Sequence, residues 1–242
     1  MDLEKSIFLT FDIDWACDEV IRDTLDILEE HQVRATFFVT HSSSLLNSLV
    51  EHPLIEIGLH PNFNNLLNGQ GNQSVQTLLE ELQRAFPAAV SIRTHSLMQS
   101  SVIFNVFARA GMKYDLNMFI PFWSNIICYP YKEINGMIRV PYMWEDDVHT
   151  IALQNGLDTD WSVHKYLTRP GIKVFDYHPI HVFLNTETLE RYNQSREFHK
   201  DPLRLLEFRN NGKQGVRTFL TDLIAQARNS GFTFCQISDL KY

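Results

Sequence analysis

The sequence contains little of what builds disulfide frameworks, membrane spans or nucleic-acid surfaces. Its three cysteines, Cys17, Cys128 and Cys235, are far apart and show no C-x-x-C spacing. We interpret them as reduced thiols in or near the core. No run of about 18 or more apolar residues occurs, so no transmembrane helix is expected. Acidic residues (29) outnumber lysine and arginine (21), and the formal net charge of -8 argues against nucleic acid or an anionic membrane as the main partner.

The N-terminal stretch "MDLEKSIFLTFDID" also lacks a signal-peptide pattern, because acidic residues precede its apolar run. We therefore expect a cytoplasmic protein. The composition, 44% hydrophobic and 21% charged, is ordinary for a globular chain. A length of 242 residues suits one large α/β domain. Because no linker or internal repeat divides the sequence, residues 1–242 are expected to form a single domain.

Strand-like and helix-like segments alternate through the first half of the chain. Buried-looking apolar runs predict strands, and apolar residues at helical spacing predict helices. The strands are predicted over 6–13, 34–41, 55–60 and 89–95, and the helices over 17–32, 42–52, 74–86 and 101–111. Repeated β-α units imply an α/β fold with parallel strands and helices packed outside, in either a barrel or a doubly wound sheet.

The remaining segments are less regular. In chain order they are predicted to be a Gly/Asn-rich loop over 62–73, a hairpin about Asn135-Gly136, a strand run over 171–185, a polar loop or lid over 186–213, a helix over 215–231 and a strand over 232–240. His178 and His181 lie inside the fifth predicted strand run or just beyond it.

Polar residues cluster at the carboxyl ends of the first four predicted strands. Asp12 and Asp14 end the first strand, and the next three end in His41, His60 and His95. In parallel α/β folds, ligands and catalysis belong at this edge. Side chains two residues apart in a strand point the same way, so Asp12 and Asp14 are expected to share one face. Two carboxylates held that close repel unless a cation or a proton lies between them.

These residue types suit a metal. A carboxylate and imidazoles that converge with open positions are typical of a catalytic site for zinc or another divalent transition metal. Asp14 and His60 are the core candidate ligands. A metal there would lower the pKa of water and polarise a carbonyl oxygen. Asp12, on the same strand face, is a carboxylate that could take a proton from that water.

Four stretches, "TFDID", "GLHPNFN", "IRTHS" and "DYHPIH", resemble in order the motifs of polysaccharide deacetylases, which are carbohydrate esterase family 4 with the NodB-homology domain. The similarity runs from about Thr10 to His181. It implies a distorted (β/α)7-type barrel with parallel core strands, a divalent metal that is often zinc, and removal of N- or O-acetyl groups from sugars. The whole chain is similar to a branch found with surface-polysaccharide (O-antigen-type) synthesis.

The resemblance implies the metal ligands, with one departure from the family pattern. Asp14 matches the metal-binding aspartate, and His60 matches the first metal histidine. The family's second histidine falls where this chain has Asn64, and an amide oxygen is a weak zinc ligand. His95 occupies a place usually taken by proline and could supply the missing imidazole. We expect Asp14, His60 and His95 as ligands, with Asn64 as a second candidate or as a partner of a ligand.

The same resemblance implies the acid–base groups. Asp12 matches the general base, and Arg93 matches the arginine that orients this carboxylate. His178 matches the histidine that protonates the leaving amine, and its neighbour His181 is the alternative acid.

The residues that would contact the substrate match the family motifs less closely. The backbone N–H near Ser96 matches the place where the family stabilises the oxyanion. Trp144 could stack on a sugar face, and His181 could contact the substrate. The fourth motif matches loosely, so one acid among Glu145, Asp146 and Asp147 is expected to orient either Arg93 or the acid histidine.

These expectations combine into one hypothesis with two alternatives. The hypothesis is a zinc-type metal-dependent deacetylase that acts on an N-acetylated saccharide. Another metal-dependent amide hydrolase, such as a deformylase or an amidase, would use the same scaffold. Asn64 could instead mark a catalytically degraded site in a carbohydrate-binding protein.

Overall fold

The computed structural model describes residues 1–70 and 73–241, where ten strands and eleven α-helices occur. The strands are β1 (Ser6–Asp12), β2 (Ala35–Val39), β3 (Ile55–Leu59), β4 (Ser91–Ile92), β5 (Tyr114–Asp115), β6 (Tyr131–Lys132), β7 (Ile138–Arg139), β8 (Trp144–Glu145), β9 (Lys173–Tyr177) and β10 (Thr233–Cys235). The helices are α1 (Asp18–Glu30), α2 (Ser44–Ser48), α3 (Asn64–Leu67), α4 (Val75–Ala85), α5 (Ser101–Arg109), α6 (Asp146–Gln154), α7 (Val163–Leu167), α8 (Pro179–Leu184), α9 (Leu189–Gln194), α10 (Pro202–Leu205) and α11 (Val216–Asn229).

The strands form one sheet in the order β6-β7-β5-β4-β3-β2-β1-β9-β8, with β10 paired to β1. The pairs are parallel except for β6 with β7. In a flat sheet β7 and β8 would lie about 34 Å apart. The connecting residues 140–143 span at most about 18 Å, so the sheet must curl until its ends approach. This curled, mainly parallel sheet with outer helices confirms the predicted fold class, a distorted (β/α)7-type barrel.

Strand alternation decides which residues face the inside of the barrel. On β1, Phe11 packs into the large core under the helices, whereas Phe8 joins a smaller apolar cluster inside the barrel. Thr10 and Asp12 share the inward face with Phe8, because side chains alternate along a strand. The same alternation turns Asp176 of β9 inward, and all three polar residues are buried. Polar groups therefore lie at the carboxyl edge of the barrel, above an apolar interior.

The predicted strand run over 171–185 is wrong beyond Tyr177. β9 ends there, and Pro179 begins α8, since proline suits the first turn of a helix, where its missing N–H would be unpaired anyway. His178 is the N-cap residue of α8 and His181 lies inside the helix. The two histidines thus follow helical geometry, not strand geometry.

Two predicted loops contain helices. The segment 186–213 holds α9, α10 and short 3-10 turns, and the segment 62–73 holds α3, while residues 71 and 72 of the latter lie outside the described residues. The predicted hairpin is present as the antiparallel pair β6 and β7.

Within residues 1–70 and 73–241, no helix has both the length and the apolar character that crossing a membrane requires.

Candidate active site

Asp12 is held at the end of β1 by Arg93, which follows β4. The Arg93 Nε donates to both carboxylate oxygens of Asp12, at 3.0 and 2.9 Å, and its Nη2 donates to Asp12 Oδ1 at 2.7 Å. The same Nη2 also donates to Thr10 Oγ1 at 3.0 Å and to Asp176. Arg93 is fully buried, with its guanidinium over the rings of Phe38 and Tyr142. The Asp12 carboxylate therefore has one fixed orientation.

Burial and charge act on this cluster in opposite directions. Burial alone would lower the pKa of the Arg93 guanidinium, because it disfavours the charged form. The negative charges of Asp12 and Asp176 have the larger effect, so the pKa is raised. Burial raises the pKa of Asp176 well above its usual range, and the neighbouring Asp12 adds to this effect although Arg93 opposes it. One arginine thus serves two buried carboxylates, of which Asp12 lies nearer to the proposed metal ligands.

Asp14 reaches the site from a tight turn, not from the strand. Residues Asp14 and Trp15 both have left-handed backbone, with φ of 40° and 58°, and the Ala16 N–H donates to the Ile13 carbonyl at 2.7 Å. Non-glycine residues rarely adopt this conformation, and at functional sites it costs on the order of 1–3 kcal/mol each. The expectation that Asp12 and Asp14 share a strand face is therefore wrong, because β1 ends at Asp12 and Asp14 lies in the turn that follows. Both carboxylates nevertheless approach the same histidine.

That histidine is His60, which follows β3 and is buried. Its Nε2 lies 3.2 Å from Asp14 Oδ1, and its Nδ1 lies 3.4 Å from Asp12 Oδ2. His95 Nδ1 lies 3.0 Å from the same Asp14 oxygen. Asp14 thus has imidazole nitrogens from two different loops beside a single carboxylate oxygen.

These three residues fit a metal ion. One ligand atom from each of Asp14, His60 and His95 lies within 4.8 Å of the others. Tetrahedral zinc with bonds of about 2.0–2.1 Å places its ligand atoms about 3.3 Å apart, close to the observed 3.0 and 3.2 Å. The other ring nitrogen of His60, Nδ1, is buried with no hydrogen-bond partner among the described residues and lies beside Asp12, so it is not the nitrogen counted here as a ligand atom. The donor set of one carboxylate and two imidazoles is one that zinc favours.

Asn64, the alternative third ligand, is hydrogen-bonded elsewhere. It begins the short helix α3, and its Nδ2 donates to Ser96 Oγ at 3.3 Å. Asn64 is thereby placed beside the loop that carries His95. This bond leaves the Asn64 amide oxygen, the atom that would bind a metal, unused, so the choice of His95 as third candidate ligand rests on its own contact with Asp14.

His178 is paired with Asp146, the first residue of α6. The His178 Nδ1 donates to Asp146 Oδ1 at 2.7 Å, and the His178 backbone N–H donates to Asp146 Oδ2, also at 2.7 Å. The other ring nitrogen, Nε2, lies 3.8 Å from Asp14 Oδ2. Burial opposes the charged imidazole, but Asp146 outweighs it and raises the pKa of His178 well above its usual value. Among the three acids left open by the sequence, Asp146 is the partner of His178.

His181 lies one turn further along α8. Its Nδ1 is within 3.0 Å of Thr186 Oγ1, and its ring packs on Tyr192 with centroids 4.8 Å apart. Burial lowers the pKa of His181, and the neighbouring Asp146 opposes this effect. Unlike His178, His181 has no carboxylate hydrogen-bonded to its ring among the described residues.

The loop after β4 places Ser96 beside the site. Ser96 and Leu97 both have left-handed backbone, with φ of 58° and 50°. The N–H groups on either side are already used, since that of His95 donates to Pro61 and that of Leu97 donates to Thr94. In this turn the Ser96 N–H is the remaining candidate donor for a developing oxyanion.

Trp144 does not reach the cavity beside these groups. The residue is 2% exposed and packs in the large core, with ring centroids 4.7 Å from Tyr177 and 4.9 Å from Phe219. This placement corrects the expectation of a sugar contact, because a stacking platform must be open to solvent.

A cavity of about 540 Å³ opens beside the site. Its lining includes Asp14, His95, His178 and His181, together with residues of the segment 189–200. Asp14, His95 and His178 therefore face a space large enough for a sugar-sized ligand, whereas Asp12, His60 and Arg93 are not part of its lining.

Sequence reasoning missed two residues that hold the site together. Asp176 of β9 pairs with Arg93, as Asp12 does. Its position two residues before His178 is the sequence feature that could have pointed to it. Asn117 holds the His95 loop: its Oδ1 accepts from the Thr94 N–H at 2.8 Å and from Thr94 Oγ1 at 2.7 Å. No sequence pattern pointed to Asn117.

Replacing Asn117 with alanine is expected to weaken metal binding about 10- to 100-fold. The change leaves the buried Thr94 N–H without its acceptor, at a cost of about 1–3 kcal/mol, and loosens the loop that carries His95. Metal titration against a competing chelator measures the affinity. Asn210→Ala is the matched control, because buried Asn210 also bonds backbone groups but in a different region, through Asn185 and Lys213. Equal affinities in the two variants would contradict the positioning role.

Residues 9–196 match the family described as "WbmS-like: Polysaccharide deacetylase". The fold is similar to that of the WbmS protein of Bordetella bronchiseptica, a candidate polysaccharide deacetylase involved in O-antigen biosynthesis, with 45% identity over 93% of this chain and 92% of that chain and a TM-score of 0.86. No curated protein matches.

Two more distant structures share the fold alone. A candidate polysaccharide deacetylase from Mycobacterium smegmatis has 16% identity and a TM-score of 0.59, covering 98% of this chain and 89% of that chain. The Xyl-CE4 domain of a xylanase from the hindgut metagenome of Trinervitermes trinervoides has 16% identity and a TM-score of 0.51, covering 97% and 88%.

Proposed function

This chain belongs to the WbmS-like polysaccharide deacetylases, and we propose that it is a metal-dependent enzyme that hydrolyses the N-acetyl group of a saccharide. The family resemblance drawn from the four motifs is thereby confirmed. One observation carries the proposal: Asp14, His60 and His95 converge within 4.8 Å of one another. Asp12 lies 3.4 Å from this set, and His178 lies 3.8 Å from it. We place the substrate among the precursors of a surface polysaccharide, following the Bordetella relative.

The three candidate ligands would hold a divalent metal, most simply zinc. When bound, such an ion makes water more acidic and polarises the acetyl carbonyl. The other groups are chain residues with defined tasks. Asp12, fixed by Arg93, accepts a proton from the attacking water, and the Ser96 N–H faces the oxygen on which negative charge develops.

His178 completes the reaction by protonating the departing amine. Asp146 occupies its Nδ1, so Nε2 is the nitrogen that faces the cavity and can deliver a proton. The amine needs this proton because an unprotonated amide nitrogen is a poor leaving group. Asp12 and His178 thus act as base and acid from separate elements, the end of β1 and the N-cap of α8.

Acetate release by metal-free and zinc-loaded protein tests the proposal. We expect turnover of N-acetylated sugars with zinc, its loss on chelation, and its return when zinc is added back. His60→Ala should lose both stoichiometric metal and turnover. His164→Ala, which changes an exposed histidine, is the matched control and should keep both.

The same experiment separates the two alternatives. Metal-free, folded protein that binds glycan without turnover would support the degraded carbohydrate-binding protein. Turnover of formylated or non-sugar amides in preference to acetylated sugars would support another amide hydrolase. Either result would overturn the proposed activity while leaving the family membership unchanged.

A further inference from the structure

One wall of the cavity has no task in the proposed reaction. Asp14, His95 and His178, which take part in that reaction, line one wall, and a second wall comes from α9, the 3-10 turn Arg196–Phe198 and the two residues that follow it. A substrate large enough to fill about 540 Å³ would contact both walls. The chemistry of the second wall therefore bears on which saccharide binds.

The second wall carries two cations, Arg196 and Lys200. Within residues 1–70 and 73–241, Arg196 forms no ion pair with a carboxylate, although the chain has eight more acidic than basic residues. Lys200 Nζ donates to the Trp15 carbonyl and keeps its other two N–H donors. The nearby Asp201 is occupied as the N-cap of α10, where it accepts from the Arg204 N–H at 3.2 Å.

The wall is packed in place. The Tyr192 ring lies between those of His181 and His199, with centroid distances of 4.8 and 4.7 Å. Buried Ser195, one residue before Arg196, has its Oγ 3.2 Å from His199 Nε2. Burial lowers the pKa of His199, and the charges of Arg196 and Lys200 act in the same direction. Tyr192, Ser195 and His199 thus pack this wall against the rest of the site, while the Arg196 and Lys200 residues are exposed.

The carboxylates of the cavity lining are Asp14, a candidate metal ligand, and Asp147, whose charge acts on His178. An anionic group on the substrate is repelled by these two carboxylates and attracted to the Arg196 and Lys200 side chains. We infer that Arg196 and Lys200 bind an anionic oxygen group, a carboxylate or a phosphate, on the saccharide whose acetyl group is removed. The inference rests on the proposed function. It specifies the substrate class of the proposed enzyme as a negatively charged N-acetylated sugar.

Three matched probes test this inference: N-acetylglucosamine, its 6-carboxylate (N-acetylglucosaminuronic acid) and its 1-phosphate. Calorimetric binding and acetate release are measured on zinc-loaded wild type, Arg196→Gln and Arg204→Gln. Arg204 is the matched control, because this exposed arginine of the same segment stacks over Phe198 and does not line the cavity.

We expect wild type to bind one anionic probe at least about 10-fold more tightly than the neutral sugar. Arg196→Gln should lower binding and kcat/KM for that probe about 10- to 100-fold and change the neutral sugar by less than about 2-fold. Preference for the carboxylate or for the phosphate identifies the source of the charge.

The two proposals fail in different ways. Turnover without preference for either anion, or equal losses in Arg196→Gln and Arg204→Gln, overturns the inference and leaves the deacetylase intact. Selective binding of an anionic probe without acetate release supports the subsite and counts against the activity. Absence of binding to all three probes overturns the inference.

Discussion

Asp12→Asn is expected to lower kcat for acetate release by roughly 10²- to 10⁴-fold while leaving the metal content unchanged. Asp12 is not one of the three ligands assigned here, although it meets the same distance criterion with Asp176 and His178. Its carboxylate is held by three hydrogen bonds from Arg93. Asparagine keeps the shape of the side chain but cannot accept a proton from water. Kinetics of acetate release and elemental analysis of the purified variant provide the two measurements.

Asp14→Asn is the matched control for this prediction, since it makes the same chemical change two residues away. Asp14 contacts both His60 and His95, so its variant should lose metal and turnover together. Undiminished turnover in Asp12→Asn would show that the base lies elsewhere. Loss of metal from Asp12→Asn would instead make Asp12 a ligand, in conflict with the assigned roles.

The helices and long strands of the first half could be predicted because their signals are local. Serine caps are one such signal: the Ser43, Ser74 and Ser100 side chains each accept the N–H three residues on, at the starts of α2, α4 and α5. By contrast, β4 to β8 are two residues long, too short for any alternation of apolar and polar side chains. Their pairing depends on closure of the barrel, which joins residues far apart in the chain.

The positions of candidate-site residues could be predicted where the residue lies at the end of a strand, and less well where it lies in a turn. His60 and Asp12 follow directly from β3 and β1, whereas Asp14 and His95 depend on turns that contain consecutive left-handed residues. Such turns carry no glycine here and so leave no signal in the sequence. Trp144 shows the reverse problem: an aromatic residue beside acidic ones looks like a sugar contact, but the pleat of β8 turns it into the core.

The choice among Glu145, Asp146 and Asp147 also required coordinates. These adjacent acids lie at the junction of β8 and α6, where each points in a different direction. Glu145 accepts from Tyr142 Oη at 2.9 Å, and Asp147 accepts from the Val148 N–H at 2.5 Å. Only the fold brings Asp146, of the three, into contact with His178, 32 residues away.

His178→Gln is expected to lower acetate release from N-acetylated sugars by roughly 10²- to 10⁴-fold, but to have a much smaller effect on an aryl acetate ester. An amine must be protonated as it departs, whereas a phenolate with a low pKa leaves without help. The ratio of the two losses therefore reports proton donation and not general damage. Initial rates on both substrates, together with metal content, provide the measurement.

His181→Gln separates the two candidate acids. His181 lies three residues away on α8, also lines the cavity, and has Thr186 instead of a carboxylate beside its Nδ1. If His178 is the acid, His181→Gln should reduce amide and ester turnover to a similar, smaller extent. A selective loss of amide turnover in His181→Gln, with His178→Gln affecting both substrates equally, would reverse the assignment. Asp146→Asn should share the substrate selectivity of His178→Gln, because Asp146 acts only through the histidine that it orients.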